Sequence, residues 1–125
     1  MNSLHNEASL ALALVVLITL LFAPPSDSAT RTLSTPVYGV LSSDRFGGCM
    51  VQIGALPRNT LNCPEADRTW VTLDCDGRFG HRIAAMNSIS LAKMAMLTNK
   101  KIRITVDDSR RNGSYCYGSQ VILFR

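Results

Sequence analysis

Cys49, Cys63, Cys75 and Cys116 are the residues whose type and spacing say most about chemistry. They are separated by 13, 11 and 40 residues and include no C-x2-C pair. That spacing favours two disulfides over the alternative, a zinc site. Other reactive groups are sparse. A nucleophilic triad needs a histidine base beside a serine or a free thiol. His5 lies next to an apolar N-terminal run, which leaves His81, and no G-x-S-x-G element is present; His81 reads as a surface loop residue. Asp74-x-Asp76-Gly77 has the start of a calcium loop but neither the further oxygen ligands nor the closing glutamate in register. It reads as a turn that ends a strand. Asp107 and Asp108 are adjacent, so on a strand they point to opposite faces and do not converge as an acid–base pair; they read as solvated turn carboxylates. Lys100, Lys101, Arg103, Arg110 and Arg111, near Tyr115 and Tyr117, form a candidate basic patch. Such groups hold single-stranded nucleic acid by stacking and charge, or an acidic sugar by charge-assisted hydrogen bonds. An aromatic content of 6% and the export signal described below weigh against nucleic acid. Asn112-Gly113-Ser114 is a glycosylation sequon that matters only in a eukaryotic secretory pathway. No catalytic residue, metal ligand or cofactor is expected, and the ligand-binding residues stay unassigned.

Compartment follows from the first quarter of the chain. Residues 10–23 (LALALVVLITLLFA) are a 14-residue apolar run, which fits a signal-peptide core and is short for a membrane span. Pro24 and Pro25 end it, and Ser26 and Ser28 supply small residues where a signal peptidase reads. Cleavage after Ser28 is favoured over cleavage after Ala29, which would place Asp27 where a small residue is wanted. The segment before the run holds His5 and Glu7 but no Lys or Arg, so an uncleaved N-terminal anchor stands as the alternative. No cysteine follows directly, which argues against a lipoprotein anchor. The chain is thus divided into a leader over residues 1–29, a loose polar arm over 30–36 (TRTLSTP) and one domain over 37–125. With the leader gone no membrane span is left. The remaining 13 basic and 7 acidic side chains give 13 − 7 = +6. That charge suits acidic glycans, anionic lipid or nucleic acid, or simply a solubilising surface. A charged fraction of 18% beside aliphatic runs excludes a disordered tail, and no internal repeat is visible. A 96-residue mature chain supports one core that covalent staples would help. Four cysteines in such a chain imply a secreted or periplasmic setting.

Periodicity predicts the strands and the helix that carry these residues. Residues 37–41 are a short strand. Cys49, Val51 and Ile53 share one face of a second, and Val71, Leu73 and Cys75 share one face of a third over residues 69–75. Residues 57–68 (PRNTLNCPEADR) form a loop. A helix is expected over about residues 83–99, with Ala85, Ile89, Ala92 and Met96 as its inner stripe. Its other side mixes polar residues with Met86, Met94 and Leu97. That pattern points to a subunit contact; ordinary exposed Met and Leu are the plainer alternative. Ile102, Ile104 and Val106 face inward on a strand over 101–107. A polar turn (DDSRRNG, 107–113) and a last strand over 115–124 follow, with Gly118 as a bulge or bend. The order β-β-β-α-β-β defines a mainly β, one-helix α+β chain and matches a five-stranded OB-like barrel. If the second and third strands pair antiparallel, the start of one meets the end of the other. This favours Cys49–Cys75, leaving Cys63–Cys116 to tie the long loop to the last hairpin.

The stretches WVTLDCDGRFG (70–80), LAKMAMLTNKKIRITVDDS (91–109) and GSYC (113–116) resemble small secreted bacterial proteins similar to the subtilase cytotoxin B subunit. The resemblance covers about residues 38–124. It implies an OB-fold subunit, not an enzyme, that assembles as a homo-pentamer, binds a cell-surface glycan and delivers a separate catalytic A subunit. In such rings the helices line the pore, which would account for the mixed second face of the helix. The family's sugar-contacting residues lie largely in the N-terminal third. There TPVYGVLSSDR departs from the family pattern, so no glycan site carries over residue by residue. The alternative is a monomeric or dimeric periplasmic or secreted protein acting as a structural or inhibitory partner.

Overall fold

The computed structural model describes residues 29–64 and 68–124, so all but the last residue of the leader expected over residues 1–29 lies outside the described residues. Alternation of aliphatic and polar residues produces five strands: β1 (Thr30–Ser42), β2 (Cys49–Ile53), β3 (Trp70–Thr72), β4 (Lys101–Asn112) and β5 (Tyr115–Leu123). One helix, α1 (Arg82–Leu97), lies between β3 and β4. The strands close into a barrel in the order β1-β2-β3-β5-β4. Neighbours run antiparallel except β3 and β5, which meet in parallel where Thr72 faces Tyr117. This is the OB-like α+β barrel expected from the element order. Its interior is filled by Val51, Ile53, Val71, Ile102, Ile104 and Val106, each 1% exposed or less.

The third strand, expected over residues 69–75, ends at Thr72, which leaves Leu73 and Cys75 beyond it, and two further segments differ from the sequence expectation. Residues 30–36 are not a loose arm: they are the first half of β1 and pair with β4 from Thr30↔Asp107 to Pro36↔Lys101. Thr30, Arg31, Thr32 and Ser34 are exposed while Thr35 is buried, and Thr32 meets Thr105 hydroxyl to hydroxyl at 2.9 Å. Pro36 is tolerated because it ends this ladder. Beyond it β1 changes partner, pairing with β2 from Val37↔Ile53, and Tyr38 is the extra residue of the bulge at the crossover. Likewise residues 107–112 are not a turn. β4 runs on to Asn112, and only Gly113 and Ser114 make the hairpin turn. The strand interrupts its pairing between Asp107↔Tyr117 and Arg111↔Cys116. The three residues in between bulge, with Asp108 buried and Arg110 exposed.

Gly118 sits at another bulge, where the register slips between Thr105↔Gln120 and Val106↔Gly118. A β-carbon there would lie 2.9–3.1 Å from side-chain atoms of Val71, Leu73 and Ile104. Only a residue without a side chain lets β5 approach β3 this closely.

Helix α1 buries Ala85, Ile89, Ala92 and Ala95. Small alanines let its backbone come close to the barrel. It ends in a Schellman motif: Asn99 takes a left-handed φ of 52°, its N–H donates to the Met96 carbonyl, and Lys100 N–H donates to Ala95. Ile83, Met86, Met94 and Leu97 are exposed, Leu97 at 82%. At about 100° per residue these four group on the side opposite the buried stripe.

Candidate functional site

Two disulfides organise the molecule. Cys49 pairs with Cys75 across the start of β2 and the chain just past β3, with a Cα–Cα distance of 5.4 Å. Cys63 pairs with Cys116, 5.6 Å apart, and ties the β2–β3 loop to β5. That loop is further held by Arg68, which is 8% exposed. Its guanidinium donates to the carbonyls of Leu56, Pro57, Leu61 and Cys63. Among the described residues no cysteine is free.

One end of the barrel gathers three loops: 43–48 between β1 and β2, 73–81 between β3 and α1, and the β4–β5 hairpin. Antiparallel pairing brings them together, because β1 ends where β2 begins and β3 ends beside them. The loop 43–48 is latched by Thr72, whose hydroxyl donates to the Phe46 carbonyl at 2.7 Å. Gly47, at φ 84°, packs where a β-carbon would lie 2.5 Å from that hydroxyl oxygen. The latch sets Phe46 edge-on against Tyr115, with ring centroids 5.1 Å apart at 73°. A second aromatic pair, Phe79 and Tyr117, lies at 5.6 Å. Tyr115 and Tyr117 are two apart on β5 and so share a face. The Arg78 guanidinium sits 5.4 Å over the Phe79 ring. Arg110 reaches the Phe79 carbonyl at 3.4 Å while pairing with Asp107 at 3.5 Å.

Asp74 builds the middle loop. It is 1% exposed, in a left-handed conformation at φ 64°. Its carboxylate accepts the backbone N–H groups of Arg78, Phe79 and Gly80 at 3.1, 2.6 and 3.0 Å. Desolvation raises its pKa above the usual carboxylate value, and the Asp76 side chain adds to that rise; the three amides oppose it. Burial likewise raises the Tyr117 phenol, with the Asp74 charge acting in the same direction. Asp74 therefore is more than the end of a strand: it folds 78–80 into the shape that presents Phe79 and Arg78. The sequence signal was an aspartate followed by Gly77 and Gly80, since Asp side chains accept from nearby backbone amides in turns. Phe46, Arg78 and Phe79 had no periodic signal, because all three lie in loops.

The basic patch expected at Lys100, Lys101, Arg103, Arg110 and Arg111 is divided. Lys101 and Arg110 are nine residues apart on β4, about 30 Å along an extended strand. Arg103 instead stacks on Phe124 at 4.6 Å, and Arg111 donates to the Asp108 carbonyl at 2.8 Å. Only Arg110 joins the aromatic rim. Asp107 and Asp108 do point to opposite sides, but Asp108 is not a solvated turn residue; it is 6% exposed. His81 is exposed just before α1, with no side-chain cap bond. Among the described residues no group of three or more His, Cys, Asp or Glu is placed to hold a metal.

A cavity of about 200 Å³ opens beside the Cys49–Cys75 disulfide, between α1 and β1. Val40, Leu41, Met86 and Ile89 line it, and Lys93 is its one charged lining residue. It falls below the roughly 300 Å³ of ordinary small-molecule pockets. Exposed aromatic edges and arginine donors on such a rim can cover the apolar face of a sugar ring and bond its hydroxyl or carboxylate oxygens.

Fold and site together define a disulfide-stapled OB-like barrel with an aromatic and basic loop end. Comparison of the chain with protein families, curated proteins and solved structures finds no match.

Proposed function

We propose that this chain is an exported, non-catalytic binding subunit, similar to a toxin B subunit, that assembles into a homo-pentameric ring and holds a cell-surface glycan at its loop end. The observation that carries this reading is the apolar outer face of α1. Ile83, Met86, Met94 and Leu97 are between 49% and 82% exposed, on an element already fully packed on its other side. A neighbouring copy of this chain is the occupant we assign to it: in a five-fold ring every interface is head-to-tail, so one flank of this helix face meets a different flank of the next copy. Two disulfides fit an oxidising, extracellular or periplasmic compartment. Among the described residues no helix is long and apolar enough to cross a membrane. Phe46, Tyr115 and Phe79 with Arg78 and Arg110 are the glycan surface in this reading, while Tyr117 is buried against Phe79, and a catalytic A subunit is the cargo.

The test is the native mass of the oxidised, exported protein by size exclusion with light scattering. A pentamer is expected, and Leu97→Asp should reduce it to a monomer with an unchanged far-UV spectrum. A monomeric wild type would refute the ring and favour a structural or inhibitory protein partner. A glycan array with sialylated and neutral sugars then tests the rim: binding should be lost in Arg78→Ala, and silence across the array would remove the glycan.

A further inference from the structure

We infer that removal of the leader creates a structural ion pair: hydrolysis of the Ser28–Ala29 bond turns the Ala29 nitrogen into an α-ammonium that docks on the buried carboxylate of Asp108. The inference rests on the export reading above. Water adds across the amide, the Ser28 carbonyl leaves as a carboxylate, and the Ala29 nitrogen takes up protons to become –NH3+. A leader peptidase of the exporting compartment supplies the catalysis.

The receptor for that ammonium is already built. Ala29 N–H donates to Asp108 Oδ1 at 2.7 Å, and Asp108 N–H donates back to the Ala29 carbonyl at 3.1 Å. The second carboxylate oxygen, Oδ2, accepts Asn62 N–H at 2.8 Å. Asp108 is 6% exposed. Among the described residues no Lys or Arg side chain forms an ion pair with it; Arg110 pairs with Asp107 instead, and Arg111 bonds only the Asp108 backbone carbonyl. A buried carboxylate held by neutral donors alone is costly, and a matched cation relieves that cost. One of the two backbone N–H groups that bond its carboxylate is the nitrogen that cleavage would charge. A charge-assisted bond is roughly twice as strong as a neutral one.

Ala29 is held by the fold. Its side chain packs against the core, and β1 begins one residue later with Thr30 opposite Asp107. A leader running through residue 29 would remove this packed residue, which argues against cleavage after Ala29. The Ser28–Ala29 bond is the one that Ser26 and Ser28 mark in sequence.

The full chain, expressed with its leader in an exporting host, tests this by intact mass. A product beginning at Ala29 is expected. An uncut product overturns the export reading itself, whereas a product cut at another bond leaves export standing and overturns the ion pair. On the processed protein, labelling with 2-pyridinecarboxaldehyde near neutral pH then reads the α-amine. Ala29 should react about tenfold slower in the native protein than in urea, and Asp108→Asn should restore the faster rate. Equal native and unfolded rates in the wild type, a comparison that needs no variant, would overturn the pair.

Discussion

Alanine at position 118 should weaken the closure of the barrel, and the size of the effect follows from two opposing terms. A β-carbon at Gly118 would lie 2.9 Å from Val71 Cγ1, 3.0 Å from Leu73 Cδ2 and 3.1 Å from Ile104 Cδ1. All three side chains are 1% exposed or less, so none can swing into solvent. Adding a methyl to such a packed site costs about 1–3 kcal/mol. Glycine to alanine also narrows the unfolded ensemble, which returns about 0.4–1 kcal/mol where the backbone allows alanine. Gly118 is not among the glycines at positive φ, so that gain applies. The net expectation is a loss of about 1–2 kcal/mol, or roughly 5–10 °C in Tm for a domain of this size. Urea melts of the oxidised protein measure it, with the slope checked for constancy. In a Val71→Ala background the added methyl has room, so the cost of Gly118→Ala should shrink; contacting residues couple by about 0.5–3 kcal/mol. A Gly118→Ala protein as stable as the wild type, or a cost unchanged by Val71→Ala, would refute the account of close strand approach.

Other perturbations test the remaining elements. The disulfides close sequence separations of 26 and 53 residues, which by chain entropy contribute about 3.5 and about 4 kcal/mol; reductant should therefore lower Tm clearly, and an unchanged melt would sink the staple argument. Replacing Arg68 by Met removes the donors to four carbonyls and should cost more than about 3 kcal/mol in a denaturant melt, at roughly 1.5–3 kcal/mol per charged hydrogen bond. Arg68→Lys should not rescue it, because one ammonium cannot span the same fork. Asp74 has a folded pKa raised above its reference of 3.8, so the native state binds its proton more tightly than the unfolded state does. Its contribution is therefore greatest in acid and is lost as pH rises from about 3.8 through the folded value. Carboxyl-carbon NMR titration should place that midpoint above 3.8, and Asp74→Asn should flatten this part of the stability profile while leaving a backbone amide unsatisfied at about 1–3 kcal/mol.

What could be read from residues alone was what local pattern encodes. Alternation at Cys49, Val51 and Ile53 and at Ile102, Ile104 and Val106 marks strands whatever they pair with, and the inner stripe of α1 marks a helix. Their order specified the barrel, and antiparallel logic placed Cys49 beside Cys75. Gly118 was legible as a bulge because a glycine inside a strand pattern has few other uses. The TRTLSTP segment gave no such signal, since five of its seven residues are polar and fall on both faces, and its strand exists only because β4 offers a ladder. The rim was equally illegible: Phe46, Arg78 and Phe79 sit in loops, and they converge because the ends of β1 and β3 and the β4–β5 hairpin meet at one end of a closed barrel. Adjacent aspartates predicted opposite faces for 107 and 108, but not which face was buried. That depended on the bulge in β4 and on Ala29 arriving from the far end of the sequence. Side-chain periodicity is a local property of the backbone, whereas burial, charge pairing and convergence depend on long-range register, which only the closed barrel decides.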